Sequence, residues 1–98
     1  MAIKVVFRKF KDHGDIIALF PREPCDLQGY LCSSYQHVGQ HGSADPGIVS
    51  ITVPAKPAEY AGLLKELKSI GYNNLEIRTK MTYNDQLYRK KQVKEIRG

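Results

Sequence analysis

Tryptophan is missing from this sequence, cysteine occurs only twice, and no apolar run is long enough to cross a bilayer. A membrane-spanning helix needs about 20 mainly apolar residues, so no membrane partner is expected. The first residues contain neither an unbroken apolar segment nor a small-residue cleavage site, and no signal peptide is therefore predicted. Two cysteines in a chain without an export signal are most simply free thiols, which predicts a cytoplasmic protein.

Negative charge is also scarce, and the excess of positive charge is concentrated at the C-terminal end. The chain has 15 Lys and Arg against 10 Asp and Glu, a formal net charge of +5. Residues 81–98 alone hold five basic and two acidic side chains. Because clustered cations attract phosphate backbones, this tail is predicted to contact nucleic acid through Arg89, Lys90, Lys91 and Lys94. A basic tail that only keeps a small domain in solution has the same composition, so that alternative stays open.

Two tyrosines lie in the same tail as these basic residues. Tyr83 and Tyr88 lie in the stretch that holds the excess positive charge. Aromatic rings beside cations are typical of surfaces on which bases stack. Deletion of residues 81–98 is therefore predicted to abolish nucleic-acid binding.

The length of 98 residues and the hydrophobic content of 42% predict a single folded domain. Residues 1–80 are expected to form this domain, and residues 81–98 a basic tail that is a short helix or disordered. Alternation of apolar and polar residues, or short β-branched runs, predicts five strands. These strands are residues 3–8, 16–20, 30–38, 48–53 and 75–79. The second is predicted to pair antiparallel with the first, and the fourth to pair with the third across a loop at residues 39–47.

Residues 57–70 are predicted to form one amphipathic helix. Apolar side chains recur there at spacings of three and four, Pro57 suits the first helical turn, and Gly71 suits the end. The order β-β-β-β-α-β predicts an α+β fold, a two-layer sandwich with a mainly antiparallel sheet. The second face of that sheet must be polar, covered by the tail, or buried in a homodimer.

The segment from residue 27 to residue 55 carries a single formal charge, on Asp45. It contains His37 and His41, and with Asp45 these residues could supply a base, an acid and an orienting carboxylate for a hydrolase. The candidate nucleophiles for such a reaction are Ser33, Ser34 and Ser43. No known catalytic motif has these spacings, and the same residues can also serve only to hydrogen-bond a glycine-rich turn.

A zinc site is a further alternative for this segment. Cys25, Cys32, His37 and His41 have the ligand types of a Cys2His2 site. The two histidines have a usual spacing, but six residues separate the cysteines, which is wider than the usual two to four. Because of this spacing no cofactor is favoured, although the residue types would allow a zinc ion.

The motif SYQHVGQHG at residues 34–42, preceded by IALFP at 17–21 and followed by PAKPAEY at 54–60, resembles a family of small bacterial and phage-borne proteins with no assigned function. The resemblance covers most of residues 3–79. It implies a compact single domain and assigns no catalytic, metal-binding or partner-binding residue.

Taken together, these patterns favour a small cytoplasmic binding or accessory protein without catalytic activity, which contacts nucleic acid through its basic tail. Two alternatives stay open. One is a His-based hydrolase or zinc site at residues 37–45, and the other is a self-associating structural module.

Overall fold

A computed structural model of the protein describes residues 3–25, 31–36, 40–44 and 47–97. Within these ranges six strands and three helices are found. The strands are β1 (Ile3–Phe10), β2 (Ile16–Pro24), β3 (Cys32–Gln36), β4 (Gln40–Ala44), β5 (Thr52–Pro54) and β6 (Leu75–Arg78), and the helices are α1 (Ile48–Ile51), α2 (Pro57–Ser69) and α3 (Tyr83–Arg97). The predicted α+β class and the mainly antiparallel sheet are confirmed. No helix in the described ranges is long and apolar enough to span a membrane.

All six strands belong to one sheet, in which β1 is central. The strand order is β4-β3-β2-β1, and the far edge of β1 is shared by two short strands. Near its end β1 pairs antiparallel with β5, and near its start it pairs parallel with β6. The predicted β1–β2 hairpin is confirmed, with Val6 opposite Leu19. Gly14 closes its turn at a φ of 77°, in the left-handed region that favours glycine.

Helix α2 packs against one face of the sheet, as its apolar stripe predicts. Leu63 and Leu67 are buried there among side chains from β1, β2 and β3, and the ring of Tyr60 stacks on that of Phe7 at 4.3 Å. At the helix start, the Lys56 backbone N–H donates to the Glu59 carboxylate at 2.9 Å. Gly71, with a φ of 118°, ends the helix in a left-handed turn. The helix and the strand β6 that follows it are both confirmed.

The opposite face of the sheet is covered by the C-terminal segment. Val6, Ile17, Leu19, Cys32 and Ala44 form an apolar cluster on that face. Helix α3 packs against β2 on this side, with Val93 only 9% exposed. The sequence allowed three possibilities for this second face: a polar surface, a cover formed by the tail, or burial in a homodimer. The structure shows that the tail covers it, folded as a helix.

The prediction of a fourth strand at residues 48–53, paired with the third strand, is wrong. Ile48–Ile51 form a helical turn, and only Thr52–Pro54 are extended, paired with β1. The cause is a set of hydrogen bonds that stabilise this turn. Thr52 Oγ1 donates to the Ile48 carbonyl at 2.7 Å, and the buried guanidinium of Arg8 donates to the carbonyls of Val49 at 3.1 Å and Thr52 at 2.8 Å.

β3 pairs on one side with β2, and its second partner lies in the predicted loop at residues 39–47. Gln40–Ala44 form β4, with His41 opposite Tyr35 and Gly42 opposite Ser34. A side chain at position 42 would begin only 3.3 Å from Ser34 Oγ. The glycine therefore permits a close approach of two strands here, whereas in the sequence it is typical of a turn.

Candidate nucleic-acid interface on helix α3

The N-terminus of α3 is fixed by two reciprocal hydrogen bonds. The Thr82 backbone N–H donates to Asp85 Oδ2 at 2.9 Å, and the Asp85 backbone N–H donates to Thr82 Oγ1 at 3.2 Å. This arrangement is a capping box in which an aspartate takes the place of the usual glutamate. It satisfies backbone donors that the first helical turn leaves without partners, and so it determines where the helix begins.

The side of α3 that faces the sheet carries opposite charges. Asp85 and Arg89 are each only 4% exposed. Arg22 of β2 donates to Asp85 Oδ1 at 2.9 Å, and Arg89 donates to the carbonyl of Pro21. Burial alone would raise the pKa of Asp85, but the hydrogen bonds from Arg22 and Thr82 outweigh burial and hold the pKa below its usual value. The carboxylate is therefore charged at neutral pH and anchors α3 to β2.

This anchoring divides the residues that are predicted to bind nucleic acid. Arg89 lies inside, with its guanidinium engaged, so it is not presented to solvent. Tyr88 lies under the Arg22 guanidinium, whose carbon is 4.8 Å from the ring centre. Lys90, Lys91 and Lys94 are all exposed. Of the four predicted cations, three thus remain on the surface.

The exposed face of α3 combines these cations with apolar side chains. Tyr83 is 70% exposed and Leu87 is 44% exposed. Residues 83, 87, 90 and 94 follow one another at spacings of four, three and four, which place them on one side of a helix. They form a line, here called the α3 stripe, of one aromatic, one aliphatic and two cationic side chains. Lys91 lies beside it.

Of the three residues predicted to act as base, acid and orienting carboxylate, the structure describes only His41. His37 and Asp45 lie outside the described residues. His41 is exposed on β4, with its ring edge-on to the buried Tyr35 ring at 4.8 Å between centres. The Tyr35 hydroxyl donates to the Glu66 carboxylate of α2. This hydrogen bond ties the β3–β4 hairpin to α2.

The three serines that could act as nucleophiles lie on the same hairpin. Ser33 is opposite Ser43 in the β3–β4 register. Ser34 is 5% exposed, whereas Ser43 is exposed. His41, Ser43 and Ser33 share one sheet face because residues two apart on a strand, and residues directly paired, point the same way. The hydrolase alternative stays a prediction.

Two described members of the predicted zinc set, Cys32 and His41, lie on opposite faces of the sheet. Cys32 belongs to the cluster under α3, whereas His41 is paired with Tyr35, which packs on the α2 side. Side chains on opposite faces cannot share a tetrahedral ion without breaking the strand pairing. Within the described residues, no group of three or more His, Cys, Asp or Glu is placed to hold a metal ion.

The two cysteines are expected to differ strongly in reactivity. Burial, with smaller contributions from Cys25 and Asp85, raises the pKa of the Cys32 thiol from 9.0 to about 11, although Arg89 lowers it. At neutral pH its thiolate fraction is therefore about a hundred times smaller than that of an ordinary thiol. Cys25 is exposed. We expect iodoacetamide to alkylate Cys25 first, and to alkylate Cys32 only at higher pH or after unfolding. Mass spectrometry of the protein at successive reaction times measures the two alkylation rates. Equal rates for the two cysteines would contradict this prediction.

One patch of exposed apolar side chains bears on the predicted homodimer. Val49, Ile51 and Val53 are 45%, 55% and 40% exposed, and they follow one another through α1 and β5 at the edge of the sheet. The homodimer and the self-associating module stay predictions.

Comparisons of the chain with protein-family models, with curated proteins and with solved structures find no match. The resemblance to small bacterial and phage-borne proteins therefore stays a prediction, and the functional argument depends on the geometry of this chain.

Proposed function

We propose that the protein binds nucleic acid by placing the solvent face of α3 against the phosphate backbone. The observation that supports this proposal is the way in which α3 is anchored. Asp85 and Arg89 turn toward the sheet, while Lys90, Lys91 and Lys94 are exposed on the same helix. Cations that are held on a rigid helix can contact successive phosphates without first paying the entropy of ordering a flexible tail.

The charge balance of the helix favours an anionic partner. The ion pair between Arg22 and the buried Asp85 neutralises the acidic residue of the first turn. The helix has two acidic side chains between residues 83 and 95: Asp85, which is buried, and Glu95, which is exposed. The exposed face therefore carries three positive charges against one negative charge, in a protein whose formal net charge is +5. Such a surface attracts phosphates over about 10 Å at moderate ionic strength.

The salt dependence of binding tests the proposal. Three phosphate contacts to single-stranded DNA give a slope of about −2 for log K against log salt, so the wild type is expected to lose about 20-fold in affinity between ~50 and ~200 mM salt. The double variant Lys90→Gln/Lys94→Gln retains one of the three lysines. It is expected to lose only about threefold over the same range. Fluorescence anisotropy with a labelled oligonucleotide measures both slopes.

The matched control removes two lysines from another exposed helical surface. Lys65 and Lys68 lie on the solvent side of α2. The variant Lys65→Gln/Lys68→Gln has the same net charge as the test variant, and we expect it to keep the salt slope of the wild type. If both double variants change the slope equally, binding follows net charge and the proposed surface is wrong. A wild type without salt-dependent binding would also overturn the proposal.

A further inference from the structure

A pocket of about 270 Å³ lies beside the N-terminal half of α3. It is bounded by α3, by α1, and by the neighbouring strands β3 and β4. Its lining is mainly apolar, with an aromatic ring from Tyr83 and polar groups from Thr82, Gln86 and the buried Arg89. The lining residues on which the inference depends are Ala44, Val49, Met81, Tyr83 and Gln86.

Gln86 is the side chain of this pocket that is suited to recognising a ligand by hydrogen bonds. It is half-buried and lies one helical turn from Tyr83. Among the described residues, the structure records no hydrogen bond for its side chain. A primary amide offers both donors and an acceptor, which is the complement of a nucleobase edge. Tyr83, which is 70% exposed, provides an aromatic face next to it.

The pocket adjoins the exposed lysines, because Tyr83 belongs both to its lining and to the α3 stripe. From Tyr83 the spacing is seven residues to Lys90 and eleven to Lys94, which keeps all three side chains on the α3 stripe. At 1.5 Å per residue, the two lysines are about 10 Å and about 17 Å from Tyr83 along the helix axis. A strand whose phosphates follow the lysines therefore reaches the pocket within a few nucleotides.

We propose that this pocket receives one unpaired nucleobase, so that the ligand of the α3 surface is a single-stranded nucleic acid. This inference rests on the proposed function. The base stacks on Tyr83, contacts the apolar wall formed by Val49 and Met81, and hydrogen-bonds Gln86. A base in a duplex is stacked on both faces and paired along one edge, so it must leave the stack and its partner before it can enter such a pocket.

The experiment compares an oligodeoxyadenylate with an abasic oligonucleotide of equal length, so that only the bases differ. We expect the wild type to bind the base-containing strand more tightly. Tyr83→Ala should weaken that binding by about 5- to 150-fold, because stacking on one aromatic side chain has this range of effects. Gln86→Leu should weaken it by about tenfold. Neither variant should change the salt slope, because neither substitution removes a charge.

The conservative variant Tyr83→Phe serves as the control for folding and for the ring. It keeps the stacking surface, so it should bind the base-containing strand within about twofold of the wild type. Because Tyr83 is mostly exposed, Tyr83→Ala should leave the thermal unfolding midpoint unchanged.

Failure of this inference is distinguishable from failure of the proposed function. If the wild type binds the abasic and the base-containing strands equally and Tyr83→Ala has no effect, but Lys90→Gln/Lys94→Gln lowers the salt slope, the pocket proposal is wrong and backbone binding stands. If a duplex binds as tightly as the single strand, the pocket proposal is also overturned. If neither strand is bound in a salt-dependent manner, both proposals fail.

Discussion

Replacement of Asp85 with alanine is expected to lower the free energy of unfolding by about 2–4 kcal/mol, because it removes both a charge-assisted hydrogen bond from Arg22 and the cap of α3. Asp85 is 4% exposed, accepts a hydrogen bond from Arg22 at 2.9 Å and caps the first turn of α3 through Thr82. The variant loses these contacts together and removes the carboxylate to which Arg22 donates. Urea denaturation followed by circular dichroism measures the change.

The matched control for this variant is an ion pair of similar length on the surface. Glu76 accepts a hydrogen bond from Arg78 at 3.1 Å, and the two side chains are 44% and 50% exposed. Because exposed pairs contribute little, Glu76→Ala should cost at most about 1 kcal/mol. Equal costs for the two variants would show that Asp85 does not anchor α3.

The same carboxylate gives the stability a predictable dependence on pH. The folded-state pKa of Asp85 is lower than its usual value. A group with a lowered folded pKa contributes stability at pH values above its unfolded pKa, and this contribution disappears as the pH falls through the folded pKa. The wild type should therefore lose more stability in acid than Asp85→Asn does. Parallel losses in the two proteins would contradict this assignment.

The parts of the fold that were predicted correctly are those whose local pattern determines their structure. The β1–β2 hairpin combines an alternating strand, a short apolar run and a glycine at the turn, and α2 has a clear hydrophobic period and a glycine at its end; both are confirmed. Ile48–Val53 has an equally clear alternation, yet Arg8, about 40 residues away in the sequence, stabilises a helical turn there. A local pattern cannot reveal a side chain that arrives from β1, so this element was wrongly predicted.

The candidate site could be predicted only where it depends on composition. Lys90, Lys91 and Lys94 follow from the charge of the tail, and Tyr83 from its place among them. The burial of Arg89 could not be predicted, because it depends on which side of α3 meets β2 and on the carbonyl of Pro21. The pocket also could not be predicted, since α1, β3, β4 and α3 meet there only in the folded chain.

Deletion of residues 81–98 is expected to destabilise the whole protein by more than the Asp85→Ala substitution does. The deletion removes every contact that α3 makes with β2 and exposes the cluster that contains Val6, Ile17 and Leu19. A domain that ends at residue 80 would then leave one face of its sheet without cover, which favours a loosely packed or aggregated state. Thermal unfolding, together with binding of the dye ANS to exposed apolar surface, measures this effect.

The truncation therefore decides between two descriptions of the C-terminal segment. If the chain of residues 1–80 unfolds at the same temperature as the full chain and binds no dye, the segment is an appendage, and loss of nucleic-acid binding on deletion is evidence for a direct contact. If the truncated chain is destabilised, loss of binding has two causes that deletion cannot separate. Point substitutions on the α3 stripe then carry the functional test, because Lys90→Gln/Lys94→Gln removes charge from exposed positions while Asp85, Arg89 and Val93 still hold α3 on the sheet.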